Sequence, residues 1–246
     1  MEVLGIDIGG SGIKGAIVDL NTGKCTTERH RIPTPKPATP DNVAITVKKL
    51  VDFFNWKGVV GCGFPTITKK GVCQAYGNLH EDWLNVNAEE LFSKKTGLKF
   101  TVINDADAAG LAEIHYGAGK DVKGLVLTIT VGTGIGSGAF YNGQLLPNFE
   151  LGQLLYKDGR LIEQYTSDAA RKREDLSYKK WSKRFNYFLN YVHTVCAPDL
   201  IILGGGISNK FHKVENRIVS KTPLVIAQKQ NMAGIVGAAV ASDLKK

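Results

Sequence analysis

The sequence predicts an α/β protein built as two α/β domains, and three observations predict it. Short apolar strands alternate with amphipathic helical stretches along the whole chain. A strand, a glycine-rich turn and a second strand open the chain at residues 3–20, and the same pattern recurs at 125–141. Between the two runs lies Gly117-Ala118-Gly119-Lys120, which reads as a hinge. The expected domains are therefore residues 1–118 and 119–246, with the last helix free to pack back on the first.

The elements follow in order. Residues 3–8 form an apolar strand that runs into Gly9-Gly10-Ser11-Gly12. Strands at 16–20 and 26–32, joined by Asn21-Thr22-Gly23, complete an antiparallel meander. The prolines of residues 33–40 mark a loop. Asp41 is placed to cap a helix that carries Val43, Val47, Leu50, Val51 and Phe54 at helical spacing. A buried strand at 59–63, a helix at 87–96 stopped by Gly97, a strand at 100–103 and a helix at 105–116 finish the first half. In the second half, strands at 125–131 and 137–141 flank the turn 132–136, and Asn142-Gly143 turns the chain again. Residues 167–195 predict a long amphipathic helix or helix pair, with Trp181, Phe185, Phe188, Leu189 and Val192 on one face. A strand at 199–203 ends in Gly204-Gly205-Gly206. A short strand at 224–227 and a helix at 234–244 close the chain.

The bulk composition narrows the class. A charged fraction of 22% with 9% aromatic residues excludes a disordered chain. The net charge of +8 favours an anionic partner. Cys25, Cys62, Cys73 and Cys196 form no CxxC pair, so neither a zinc site nor a disulfide framework is expected, and a reducing compartment fits. No apolar run reaches about 18 residues, and no basic segment leads into an apolar one at the start. A cytoplasmic protein without a membrane partner is expected.

Three glycine turns carry the first chemistry. A phosphate chain needs backbone N–H groups that converge on it, and glycine allows close approach. In the first turn Gly9, Gly10, Ser11 and Gly12 supply the cradle, Ser11 adds a hydroxyl and Lys14 a positive charge. Asp7, at the strand end, is placed to hold Mg²⁺ through water. The pattern is neither a Walker loop nor a dinucleotide-binding turn, because a strand follows instead of a helix. Thr133 and Gly134 in the second turn and Gly204, Gly205 and Gly206 in the third offer the same chemistry. One such loop is equally a plain hairpin turn. Three, each at a strand end, point to phosphate.

Asn104-Asp105-Ala106-Asp107 follows a strand and begins a helix. A kinase needs a carboxylate to accept the proton of the acceptor hydroxyl and a polar neighbour to orient that hydroxyl. Asp105 is the candidate base and Asn104 the candidate orienting group, while Asp107 reads as a helix-start residue. Phe64, Pro65, Asn78, Glu150 and Glu163 are candidate sugar contacts. Asn and Glu can satisfy several hydroxyls, and an aromatic ring can cover an apolar sugar face.

These residues, in this order, resemble the ROK family of sugar kinases. The resemblance rests on residues 7–14, Gly63-Phe64-Pro65, Asn104 to Asp107, Thr133-Gly134-Ile135-Gly136, Glu150-Leu151-Gly152 and the triple glycine at 204–206. Residues 9–15, 147–152 and 169–173 are similar to the polyphosphate glucokinase branch in particular. The resemblance implies an actin-like (ribonuclease H-like) fold of two α/β domains with a cleft that closes on the sugar. It implies phosphorylation of a hexose, glucose first, at its 6-hydroxyl by polyphosphate or ATP, with Mg²⁺, in a homodimer. Asp105 would be the base, Asn104, Glu150 and Glu163 would contact the sugar, and the glycine turns would hold the donor.

Two features depart from the family pattern. The stretch after Gly152 lacks the cysteines of the family's zinc motif, as in the polyphosphate branch. Gln153 stands where the family usually has His after Glu-x-Gly. Glutamine both donates and accepts hydrogen bonds, so Gln153 is a further candidate sugar-site residue, placed to orient the sugar or Glu150, but it does not titrate near neutral pH. A kinase for another hexose, or a non-catalytic sugar-binding regulator, therefore stand as alternatives. ROK repressors carry a DNA-binding helical region ahead of the first strand, so a nucleic-acid partner is not expected. For the donor, Arg171, Lys172, Arg173, Lys179, Lys180, Lys183, Arg184, Lys210 and Lys213 form a candidate basic track for polyphosphate.

Overall fold

The computed structural model describes residues 1–244, apart from the side chain of Gln230. In chain order its elements are β1 (Glu2–Gly9), β2 (Gly12–Asp19), β3 (Lys24–Cys25), β4 (His30–Ile32), α1 (Pro40–Phe53), β5 (Val60–Phe64), β6 (Thr68–Lys69), β7 (Val72–Cys73), α2 (Ala88–Thr96), β8 (Phe100–Asn104) and α3 (Asp105–Tyr116). They continue with β9 (Leu125–Val131), β10 (Ile135–Tyr141), β11 (Gln144–Leu146), α4 (Ile162–Thr166), α5 (Asp168–Arg173), α6 (Tyr178–Cys196), β12 (Leu200–Gly204), β13 (Leu224–Ile226) and α7 (Ala233–Leu244). The chain divides into two units. Residues 1–112 and the segment that begins at Asn231 form the first, and residues 113–230 the second. The division falls inside α3, ahead of the glycine stretch 117–120.

In the first unit the sheet runs β3-β2-β1-β5-β8, with β4 also on β2. β1 and β2 are antiparallel, whereas β1, β5 and β8 are parallel. Parallel strands are covered on both faces, which is why these three read as near-continuous apolar runs. α7 lies directly on their backbone. A Cβ on Gly5 would strike the Ile235 carbonyl, and one on Gly61 the Ala238 carbonyl. The small residues of α7 suit that approach, and Gly237 lets the Ala108 backbone of α3 come equally near. Leu4, Ile6, Val47, Leu50, Cys62, Trp83 and Phe92 belong to the core of this unit.

The second unit has its own sheet, β11-β10-β9-β12-β13. Its pairing senses repeat those of the first: two antiparallel pairs, then two parallel ones. The internal repeat read from the sequence is thus a repeat of topology. The apolar face of α6, Trp181 to Val192, is buried with Leu127, Ile129, Ile201 and Leu203.

Several elements differ from their prediction for local reasons. The strand expected at 26–32 is reduced to β4, with the two-residue β3 ahead of it. The Thr27 hydroxyl accepts the Ile17 N–H at 3.0 Å, a ladder position that a strand carbonyl would otherwise take. α1 begins at Pro40 with Thr39 before it, so Asp41 lies in the first turn and is not the cap. The stretch 167–195 is a helix pair, α5 and α6. Ser167 caps α5 and Ser177 caps α6, accepting from Ala170 and Lys180 N–H. β10 starts at Ile135, which reduces the second glycine turn to Gly132-Thr133-Gly134. α4, β6, β7 and β11 escaped prediction, each being five residues or fewer.

Candidate active site

The three parallel strands of the first unit end at Gly9, Phe64 and Asn104. Ligands of open α/β sheets bind outside such carboxyl ends. Gly9 pairs with Gly12, and Gly10-Ser11 form the hairpin tip. One register step back, Asp7 lies opposite Lys14 on β2 and Gly63 on β5. Gly63 in turn borders the start of α3, where a Cβ would lie 3.6 Å from the Asp105 Cα. Asp7, Gly63 and Asp105 thus follow one another across neighbouring strand ends. Asp105 is half-buried, and the Asp7 side chain keeps 21% of its surface.

Four predicted roles change in this unit. Lys14 Nζ lies 3.2 Å from Asp7 Oδ2, so the lysine expected to face donor phosphate is neutralised by a carboxylate. Asn104 Oδ1 accepts from the Ala106 N–H at 2.8 Å and the Asp107 N–H at 3.1 Å. That oxygen caps α3 and is not available to orient a hydroxyl. Phe64 is fully buried, its ring 4.6 Å from Trp83, and is a core residue unable to cover a sugar. Asn78, predicted to contact sugar, is exposed beside the first glycine turn instead, 3.6 Å from where a Cβ on Gly10 would stand. Pro65 is half-buried, and its carbonyl packs where a side chain on Gly77 would go. Asp107 lies in the first turn of α3, buried to 1%, as a helix-start residue.

In the second unit three polar residues converge. Glu150 precedes a 3₁₀ turn, Leu151–Gln153. Its flanks are tied to β10 by the Ser137 hydroxyl, which donates to the Phe149 carbonyl and accepts from the Leu151 N–H at 2.8 Å. Glu163, on α4, accepts the Ile135 N–H at 3.1 Å with one oxygen and Gln153 Nε2 at 3.4 Å with the other. Gln153 therefore meets Glu163 as a donor. Burial pushes the Glu150 carboxyl up, and the charge of Glu163 adds to it. Two carboxylates share one site, a suitable arrangement for accepting hydrogen bonds from neighbouring sugar hydroxyls.

The second and third glycine turns are neighbours within this unit. Thr130 lies opposite Gly204, and the Ile207 N–H donates to the Val131 carbonyl at 3.2 Å. Their glycines serve different purposes. A Cβ on Gly134 would strike Glu163 Oε2, so this residue, predicted to hold donor, makes room for the Glu163 carboxylate. Gly205 has φ +77°, and its Cβ would lie 2.7 Å from the Val131 backbone, so it is glycine for the fold. Gly204 is in ordinary contact with Ala227. Open space lies beside Gly132, and Thr133 and Gly206 are exposed.

Four cations of the basic track are paired with two carboxylates. Asp168 pairs with Arg171 at 2.7 Å and Lys172 at 2.9 Å, and Glu174 with Arg173 at 3.2 Å and Arg184 at 2.6 Å. Burial alone would raise the Asp168 carboxyl, but hydrogen bonds from Lys172 and Arg171 outweigh it and hold it low. Lys213 lies over the Tyr178 ring at 5.5 Å. Lys179, Lys180 and Lys183 are exposed and have no carboxylate partner among the described residues.

Two sheets of like topology, glycine turns at their carboxyl ends and carboxylates beside them are the marks of one class of sugar kinase. Residues 3–147 match the ROK family, and the chain belongs to it. It is 45% identical over 239 residues to the polyphosphate glucokinase of Mycobacterium tuberculosis, covering 97% of this chain and 90% of that one. The crystal structure of the inorganic polyphosphate/ATP-glucomannokinase of Arthrobacter sp. strain KM matches with a TM-score of 0.94 at 44% identity, over 100% of this chain and 99% of that one. A ROK family glucokinase from Streptomyces griseus, solved with glucose and AMPPNP, matches with a TM-score of 0.80 at 21% identity, over 98% of both chains. The fold is the actin-like fold of these kinases.

Proposed function

We propose that the protein transfers a phosphoryl group from polyphosphate or ATP to the 6-hydroxyl of glucose. One observation carries the proposal: Asp105 and the first glycine turn stand at carboxyl ends of β8 and β1 in one sheet, with only β5 between them, so a single frame positions base and donor cradle. The identity to a polyphosphate glucokinase over nearly the whole chain supports it.

In this reading Asp105 accepts the proton of the 6-hydroxyl as its oxygen attacks the terminal phosphorus. The bond from that phosphorus to the bridging oxygen breaks, and the donor leaves one phosphate shorter. Catalysis of such a transfer is mostly positioning and charge stabilisation. N–H groups of the turns at Gly9 and Gly10 and at Gly132 and Gly206 would supply part of it. Glu150 and Glu163 would accept hydrogen bonds from the sugar, with Gln153 holding Glu163 in place.

Mg²⁺ fits this arrangement as an ion that arrives with the donor. Among the described residues no three metal-ligating side chains converge. Mg²⁺ usually takes one or two carboxylates, several waters and substrate phosphates. Asp7, partly exposed at the strand end, is the carboxylate that would hold it, and the ion would supply neutralising charge to the donor.

The test is an assay of purified protein with glucose and Mg²⁺, polyphosphate against ATP. Asp105→Asn should lower kcat by about 10²- to 10⁴-fold with either donor. Undiminished turnover in that variant would sink the assignment of the base. Mannose is the second acceptor to try, since the Arthrobacter relative is a glucomannokinase. The homodimer and the cytoplasmic location implied by the family resemblance belong to the same proposal. Light scattering reads the first, and the four free cysteines suit the second.

A further inference from the structure

We infer that Arg31, and not Lys14, presents positive charge to the donor phosphates at the first glycine turn. Arg31 lies on β4, opposite Lys14 on β2. Its side chain runs along the hairpin to the tip, where Nη2 donates to the Ser11 carbonyl at 2.6 Å. The guanidinium fills the place a side chain on Gly12 would take, with Cζ 2.7 Å and Nη2 2.8 Å from that Cβ position. A side chain on Gly12 would have to displace the guanidinium.

Three facts make this an anion site. First, Lys14 is neutralised by Asp7, whereas the exposed Arg31 makes no ion pair among the described residues. A guanidinium carries five N–H donors in a planar fork suited to phosphate, and the Ser11 carbonyl takes one. Second, the segment that carries Arg31 also brings Thr34, whose hydroxyl donates to the Gly9 carbonyl at 2.5 Å. Carbonyl oxygens repel phosphate, and here two that border the tip are covered by donors from one segment. Third, Gly10 and Ser11 are exposed at the tip. Covered carbonyls, an unpaired fork and an exposed tip give the turn a positive face.

The inference rests on the donor role of the first turn, and its test separates the two. Steady-state KM for polyphosphate, for ATP and for glucose is measured with Arg31→Ala, Arg31→Lys, Gly12→Ala and, as a reference for the turn itself, Gly10→Ala. Arg31→Ala should raise the KM of both donors by about tenfold, the loss of one charge-assisted contact. It should leave the glucose KM within about twofold and the melting temperature unchanged, the residue being exposed. Arg31→Lys should recover only part, because an ammonium keeps the charge and loses the fork. Gly12→Ala, which pushes the guanidinium aside, should reproduce the donor defect. If Gly10→Ala raises the donor KM and Arg31→Ala does not, Arg31 has no donor role. If the Arg31→Ala defect appears equally in the glucose KM or comes with a lower melting temperature, its role is structural and the inference falls. If both Arg31→Ala and Gly10→Ala leave the donor KM unchanged, the donor role of the turn falls, and the inference with it.

Discussion

Glu150 carries its negative charge at a cost to the fold. Burial and the neighbouring Glu163 raise its carboxyl, so the folded chain holds the proton more tightly than the unfolded chain does. Such a group favours folding below the usual carboxylate range, and that contribution is lost as pH rises through the raised value. Glu150→Gln should therefore melt higher than wild type at pH 7, and the gap should close as pH falls through the carboxylate range. The same variant should bind glucose more weakly, since an acceptor oxygen is replaced by an amide donor. Melting curves from pH 4 to 8 read the first effect, and equal slopes for the two proteins would show that Glu150 is not strained. Gln153 makes the same point from the other side. An amide that donates to Glu163 steadies the carboxylate at every pH, where a histidine would do so most strongly when protonated.

At the scale of elements, the turns and α7 show two uses of glycine that a sequence does not separate. Gly61 is glycine because the Ala238 carbonyl of α7 lies on it. Gly132 has open space where a Cβ would go. Gly61→Ala should lose about 3 kcal/mol or fail to fold, as overpacking of a close backbone contact does. Gly132→Ala should keep the wild-type denaturation midpoint and lose donor affinity instead. Denaturant titration beside donor KM values distinguishes the two, and a large stability loss in Gly132→Ala would remove that turn from the donor site. Asn104 belongs with Gly61. Its position before Asp105 suggests substrate, but its oxygen is taken by the N-terminus of α3.

For the whole molecule, the number of cations along the basic track overstates the charge a polyanion would meet. Asp168 and Glu174 offset two of the four charges on Arg171, Lys172, Arg173 and Arg184 within their own surface. Exposed ion pairs of this kind are worth little in stability, but they shrink the track. Lys179, Lys180 and Lys183 remain as its core. If these lysines carry polyphosphate, its KM should climb steeply as salt rises from about 50 to 200 mM, and the KM for ATP less so. Replacing the three with alanine should flatten the polyphosphate slope. A slope equal in wild type and variant would reduce them to a solvated helix face.

The sequence by itself determined the alternation of strands and helices, the half-molecule repeat, the three glycine turns and the family. These are local or periodic signals: apolar spacing, glycine at strand ends, and short motifs whose order survives without a partner. Tertiary structure alone decided which of those residues face a ligand. Lys14 is neutralised by a carboxylate seven residues earlier, Phe64 lies against Trp83, and Gly134 yields its space to Glu163. Arg31 reaches a turn twenty residues before it through the pairing of β4 with β2. Charge, burial and free volume at a site depend on the partner that register brings opposite, and register exists only once the sheet has formed.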